Sequence, residues 1–600
     1  MKTLPIILSA ALLSLTAAGG VEDTVWRAQR ERAKTLKGEN AKRLKAVGAT
    51  GDVAFFAVPA LSDLMRLDDT WPEDGALGGT VRCVLAQGEF EACSFELFAF
   101  KDLDAVELKV DLDLPSDLRV VKLWFQNGNG WVSYFDDVGL KLVPELLLHD
   151  ENLIKVVKDG DDPANYARVR KDGKDSFVWI SSPKEMNPKD EAWQYDEGFA
   201  DAGAILPVAL EKNSFKQFFL TIHPPKGQRP GVYKGAVTVS RKGRELAKIP
   251  LAVRVLPFEL PMPRGYLQPD KAYMHSCMGA MPNLGRLVEK FRGDEAKAKA
   301  CFRAWLESMY DHSMFHAVSV SPGNDWCVPM LREIGFPLDV VWGSNMIGWF
   351  GLNFGGRMKY AHLRQAEVAA KKCREYYDRV LPGARILCGH GDEQGAAFVT
   401  AHREMLREYE RNRIVVGCAG HEGLLYKGGY AYGQYPMAGE PENAYLKSRP
   451  WREIGAYPIG FYASQHTGTE NPQYTRRQHG LLGWLNGLTM AHNYEFATGS
   501  FNDRANILYR PMVVSYANSQ GLMETIQYAG FREACDDIRY ATYMMQLAAE
   551  ADKSADVDTR ILAKKCRMYL AMLKGETMDL DGVRLEMIDR ILKLRAALGK

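Results

Sequence analysis

Asp392 and Glu393 are adjacent carboxylic acids whose local setting could put them to chemical use. A short apolar run, residues 384–388, leads into Gly391-Asp392-Glu393. It follows a helical pattern over about 365–380 that closes at Leu381-Pro382-Gly383, and another helical pattern starts near Ala396. The pattern predicts a strand between two helices, with both acids at its C-terminal end. In a β/α barrel that edge carries the chemistry. Two acids there can have their pKa values pushed apart, one staying ionised and the other holding a proton. The bland alternative is a surface turn, where Asp and Glu are also common.

The elements that must position them come in two textures. From about 51 to 257 the chain reads as β. Residues 106–112 alternate strictly, as a half-buried strand should, and similar runs lie at 80–85, 91–100, 118–125, 217–222, 235–240 and 249–255. Turn residues at 127–130 and 229–231 separate some of them. Many short strands with such turns predict a β-sandwich. Residues 156–200 are polar and read as a long excursion from it. Pro257-Phe-Glu-Leu-Pro-Met-Pro263 is a stiff connector, because each proline fixes its own φ and biases its predecessor to extended; the domain boundary is placed there.

Beyond the connector, helical patterns at 294–310, 364–380, 396–411 and 475–487 alternate with short apolar runs at 316–320, 384–388, 413–418, 459–463 and 488–494. This alternation predicts a parallel sheet with crossover helices, and about 280 residues suit a (β/α)8 TIM-like barrel. The expected fold is therefore α/β plus all-β: a β-sandwich over 51–257, a barrel over 264–545 and C-terminal helices over 546–600. Residues 21–50, dense in Arg, Lys and Glu, read as an exposed helical arm.

The chain opens like an export signal. Lys2 is the basic start, residues 4–15 are apolar, and Thr16-Ala-Ala-Gly-Gly20 offers small residues for cleavage. The apolar run is too short to span a bilayer, so a secreted or periplasmic location with no membrane span is expected. Among 600 residues, 76 basic and 75 acidic side chains leave a net charge of +1, which points away from nucleic acid and anionic membranes. The ten cysteines are scattered, without metal-ligand spacing; Cys83 and Cys93 flank a predicted hairpin and could pair. No P-loop, GxGxxG after a strand, HExxH or GxSxG occurs. Neither a metal nor a cofactor is expected.

Several stretches, taken together, carry a family resemblance. Gly391-Asp392-Glu393 resembles the Asp-Glu dyad of glycoside hydrolase family 123, the β-N-acetylgalactosaminidases, and of proteins sharing their catalytic domain. Gln228-Arg-Pro-Gly-Val-Tyr-Lys-Gly-Ala-Val-Thr-Val239 resembles that family's last sandwich strand, and Arg254-Val-Leu-Pro-Phe-Glu-Leu-Pro261 its linker. Tyr474 to Trp484 and Gly530 to Tyr540 resemble two of its helices, so the resemblance covers roughly residues 75–545. It implies an exported enzyme on a glycan substrate. The substrate's 2-acetamido oxygen would be the nucleophile and an oxazolinium ion the intermediate. Asp392 would orient the acetamide and Glu393 would act as general acid/base. Substrate assistance is a known exception to the two-carboxylate rule.

The chain departs from the family pattern at Gln394, where Pro is common, and at Tyr494, where Trp is common. Tyr494 could still pack against a sugar face. Other candidates for substrate binding are judged by position. Tyr462 ends a predicted strand and is either an acetamide partner or core. Trp484 lies within a helix and is either a substrate contact or core. His390 could tune Glu393, bond a sugar hydroxyl or be structural. Asp325 and Trp326 follow the run 316–320 and are either sugar contacts or plain loop. Two other readings stay open. A glycosidase for a sugar lacking the acetamide would need Glu422 or Glu495 opposite Glu393. A non-catalytic carbohydrate-binding protein would keep only the barrel's shape.

Overall fold

The computed structural model describes residues 22–126, 140–158, 163–180, 194–195, 197–277, 279–343, 360–392, 396–419, 433–434, 444–453, 455–462, 471–493, 496–497, 513–573 and 578–600. The alternating first half forms β1 (Val53–Val58), β2 (Ala76–Leu77), β3 (Val81–Gln87), β4 (Glu91–Ala99), β5 (Leu103–Asp111), β6 (Ser116–Gln126) and β7 (Lys141–Leu148). There follow β8 (Ile154–Val157), β9 (Ala164–Lys171), β10 (Lys174–Trp179), β11 (Val208–Leu210), β12 (Phe215–Ile222), β13 (Gly231–Arg241) and β14 (Arg244–Glu259).

One six-stranded antiparallel sheet runs β2-β1-β4-β12-β6-β7, and a five-stranded sheet runs β11-β5-β13-β14-β3. Within the second, β3 and β14 pair parallel. The two sheets share one core, with Phe95, Leu97, Phe218 and Leu220 from the first against Val106, Val237, Val239 and Val253 from the second. Each such side chain contributes about 1.5–3 kcal/mol on burial. Within the region read as a long excursion, β8, β9 and β10 form a separate antiparallel sheet, β10-β9-β8. Buried Ala167 and Val169 anchor it among charged neighbours.

Helix α1 (Glu22–Ala46) is a helix, as its composition predicts, but it is not a freely solvated one. Ala41 and Leu44 pack on Phe56, Phe98 and Phe215. Trp26 meets Phe125 edge-on at 4.8 Å. A few apolar side chains suffice to hold it, because the outer face of the six-stranded sheet is itself apolar there. Cys83 and Cys93 are both buried free thiols in contact through a hydrogen bond.

The connector is shorter than its prolines suggest. Strand β14 continues through Pro257 to Glu259, with a register shift after Val255. Then come β15 (Met274–Cys277), β16 (Val340–Trp342), β17 (Arg385–Asp392), β18 (Ile414–Ala419), β19 (Gly433–Gln434), β20 (Ile459–Tyr462) and β21 (Met490–Asn493). They form two wholly parallel sheets, β15-β21-β20-β19 and β16-β17-β18. Residues 318–320 lie alongside β16: Val320 N–H donates to Trp342 C=O and Trp342 N–H to Val318 C=O. The Trp342 ring lies 5.3 Å from the His492 ring, so the parallel strands curl toward one another.

The helices among these strands are α2 (Leu284–Lys290), α3 (Glu295–Asp311), α4 (Val328–Ile334), α5 (Tyr360–Val380), α6 (Ala396–Arg411), α7 (Ala444–Glu453), α8 (Pro472–Arg477) and α9 (Gly483–Leu485). The single helix expected over 475–487 is broken by a π turn at Gln478–Leu482, where Gly480 leaves helical φ/ψ. An antiparallel pair, β22 (Tyr516–Asn518) and β23 (Gly521–Met523), precedes α10 (Ile526–Ala551), α11 (Val557–Met572) and α12 (Leu580–Ala597). Helix α10 runs through residue 546, so a boundary there would cut a continuous helix. Among the described residues, no helix is long and apolar enough to cross a membrane.

Candidate functional site

The position of Asp392 follows from how β17 is held. Ile386, Leu387 and Cys388 are fully buried, and the strand is central in its sheet, between β16 and β18. A fully paired, buried strand is a rigid mount for whatever sits at its end. The register with β18 shifts between Gly389 and Asp392, and Asp392 pairs with Ala419 at the end of β18. Such an irregularity re-aims side chains where a strand terminates. Asp392 is the last residue of β17, as the sequence pattern predicts. The side chains of His390 and Asp392 lie outside the described atoms; Glu393 and Gln394 lie outside the described residues.

The other parallel sheet brings further groups to the same end of its strands. Ser276 on β15 and His492 on β21 are register partners, and Ser276 Oγ shares a 2.9 Å hydrogen bond with His492 Nδ1. Burial pushes the His492 pKa down to about 4, so the imidazole is neutral at ordinary pH. Its Nε2 is buried without a hydrogen-bond partner. Trp342, at the end of β16, tilts over this imidazole and donates its indole N–H to His316 C=O at 3.0 Å. His275 and His316 are likewise held near pKa 4 by burial. None of these histidines is a cation at neutral pH. Among the described residues, no group of His, Cys, Asp and Glu could hold a metal ion.

Tyr462 ends β20 and is the register partner of His492, so its backbone belongs to this strand-end cluster; its side chain lies outside the described atoms. Tyr494, Glu422 and Glu495 lie outside the described residues. Trp484 is corrected from a possible substrate contact to core. Only 1% of it is exposed, its indole N–H donates to Arg264 C=O at 2.6 Å, and its ring packs on Tyr266. Asp325 and Trp326 turn toward the helical layer. Trp326 packs on Phe302 of α3 with ring centroids 5.0 Å apart, and Asp325 lies near Tyr376 of α5, where burial first and then the Asp325 charge raise the phenol's pKa.

Sequence reasoning missed Trp342, Ser276 and His492. Val340-Val341-Trp342 is a three-residue apolar run, and Met274 to Cys277 is a four-residue strand in which His275 and Ser276 interrupt the apolar pattern. Runs this short carry almost no periodicity. The available signals are Gly343 after an apolar triplet and, for His492, its place inside the apolar run 488–494.

No family model matches the chain, and no curated protein matches its sequence. Solved structures do. A family 39 glycoside hydrolase from Bacteroides cellulosilyticus aligns over 54% of this chain and 74% of its own, with a TM-score of 0.31 and 12% identity. A Bacteroides ovatus family 5 xyloglucanase aligns over 76% of this chain and 98% of its own, with a TM-score of 0.26 and 8% identity. These two are too loose to argue from. A family 123 glycoside hydrolase from Clostridium perfringens, described for glycolipid glycan hydrolysis, aligns over 91% of this chain and 98% of its own. The identity is 8% and the TM-score 0.60, so this chain, across nearly all of its length, has the fold of a family 123 glycoside hydrolase.

Proposed function

We propose that this chain is an exported glycoside hydrolase that cleaves a β-linked 2-acetamido sugar with retention, through an oxazolinium intermediate. The observation that carries the reading is the place of Asp392: the last residue of a central, parallel strand, in a chain with a glycosidase fold. Asp392 orients the acetamide and stabilises its developing positive charge. Glu393 protonates the leaving oxygen and then deprotonates water. Adjacent residues cannot easily straddle a sugar ring, as a retaining carboxylate pair about 5–5.5 Å apart must. Both can reach one side of it.

The same reading takes residues 318–320 and the seven parallel strands β15 to β21 as a closed eight-stranded barrel, and the two large antiparallel sheets as a β-sandwich beside it. The sheet order and the Trp342–His492 approach support it. Trp342 offers an apolar ring near the strand ends for a sugar's C–H face. Residues 1–20 serve as the export leader, and a glycolipid glycan is a natural substrate class to try first.

The test is hydrolysis of nitrophenyl β-GalNAc and β-GlcNAc set against nitrophenyl β-galactoside and β-glucoside. Cleavage confined to the acetamido pair, with tight binding of an oxazoline-mimicking thiazoline, supports the mechanism. Comparable rates on the 2-hydroxy glycosides would overturn it and move attention to Glu422 or Glu495 as partner of Glu393.

A further inference from the structure

The six-stranded sheet is not closed along its length. Strand β12 pairs with β6 only from Phe218 to Ile222, whose partners run from Val120 to Ser116. Upstream, Phe215–Gln217 have no partner in β6, and Val121–Gln126 of β6 pair only with β7. Where the strands part, Phe215 N–H donates instead to Asp68 C=O at 2.9 Å. The gap between them is a cavity of about 610 Å³. Both diverging strands line it, together with Arg66 and Glu96. That volume is in the range of small-molecule sites.

The cavity contains unused hydrogen-bonding capacity at high cost. Arg66 and Glu96 side chains are 4% and 1% exposed. Arg66 Nη2 is bound to Asp74, but its Nε and Nη1 have no hydrogen-bond partner, and neither does Glu96 Oε2. Arg66 Nη1 stands 3.8 Å from Glu96 Oε1, an ion-pair distance too long for a hydrogen bond. Burial of unsatisfied charged groups is unfavourable and needs a reason. Burial also pushes Glu96 up to about 7 and Lys122, on the same wall, down to about 8.

An idle donor edge beside an idle acceptor suits neighbouring hydroxyl groups, one accepting from the guanidinium and one donating to the carboxylate. Apolar Phe215, Val121 and Leu123 line the same space and suit the C–H face of a ring. Six carboxylates against four cationic side chains around the cavity disfavour an anion. We propose that this split in the sheet is a second, non-catalytic site that binds a neutral saccharide through Arg66 and Glu96. It is independent of the dyad and does not rest on the acetamido mechanism.

The test is calorimetric titration of the full-length chain with lactose, cellobiose and N,N′-diacetylchitobiose, with glucuronate and glycine as comparators. At least one disaccharide should bind with Asp392→Asn in place. Arg66→Lys and Glu96→Gln should each weaken it about tenfold to a hundredfold, the value of a hydrogen bond to a charged group. Leu123→Trp, which narrows the cavity and removes no charge, should abolish binding. Hydrolysis of a soluble aryl glycoside should be unchanged in all three. The proposal is overturned if no disaccharide binds at millimolar concentration, if the three variants bind like the parent, if Asp392→Asn alone removes binding, or if glucuronate or glycine binds more tightly than every disaccharide.

Discussion

Asp537 on α10 bridges two arginines from different parts of the chain: Arg584 Nε on α12 lies 2.6 Å from its Oδ1, and Arg476 Nε on α8 lies 2.8 Å from its Oδ2. Arg584 Nη1 also reaches Glu533 of α10 and Glu91 of β4, each at 2.6 Å. One buried guanidinium therefore links the C-terminal helices to the antiparallel sheets. That network holds the first half of the chain against the parallel strands.

Removing its centre should be costly. Arg584→Met leaves Glu91, Glu533 and Asp537 buried without that cation. Breaking a buried pair by removing one partner typically costs about 3–5 kcal/mol. A thermal scan should show a large fall in midpoint for this variant. Lys593→Ala, which removes only the exposed pair with Asp589, should leave the midpoint where it was. Equal midpoints for the two variants would contradict the role assigned to Arg584.

Glu89 makes stability depend on pH. It is 1% exposed, accepts from Tyr540 Oη at 2.6 Å, and accepts from Ala86 N–H. Burial first, then the Asp536 charge, raises its pKa from 4.5 to about 8, against the pull of Arg584. The folded state thus holds a proton that the unfolded state releases between those values. Stability from this group is full below about 4.5 and declines as pH rises toward about 8. Glu89→Gln, which keeps the neutral shape, should flatten the fall in melting temperature across that window.

Much of this architecture is legible in the residues. The strict alternation at 106–112 coincides with β5 through Asp111, and α6 has the bounds its periodicity predicts. Strand β17 ends on Asp392, as the change of texture there implies. Other features were illegible for physical reasons. The burial of Trp26 depends on Phe125, about a hundred positions away, so no local pattern could reveal it. Strands of two to four residues, β15, β16 and β19, take their identity from parallel neighbours rather than from any period of their own. Trp484 read as core or, less readily, as a substrate contact; the carbonyl that takes its N–H, Arg264 C=O, is distant in sequence and decides for core.

Trp484 offers a clean separation of packing from recognition. Trp484→Ala should cost about 3–5 kcal/mol, the usual range for emptying a large aromatic from a core. In the fraction that stays folded, KM for an aryl glycoside should match the parent, since the ring lies in the core. A raised KM at unchanged stability would return Trp484 to the substrate.

Under the proposed mechanism, the two acids of the dyad should fail in different ways. Glu393→Gln removes the proton donor, so turnover on an unactivated glycan should fall by about 10²–10⁴-fold, the usual contribution of a positioned acid. Aryl glycosides with very acidic leaving groups need little protonation, and their first step should be largely spared. Asp392→Asn keeps the shape but loses the charge that stabilises the oxazolinium. Its loss should be about 10²–10³-fold, comparable to other preorganised electrostatic contacts, and should not depend on the leaving group. Thiazoline affinity should fall in Asp392→Asn and hold in Glu393→Gln, because only the first removes a contact to the intermediate's ring. Plotting rate against leaving-group pKa for both variants checks the assignment directly. Parallel slopes, with the thiazoline bound equally by both, would mean that the two carboxylates do not divide the work in this way.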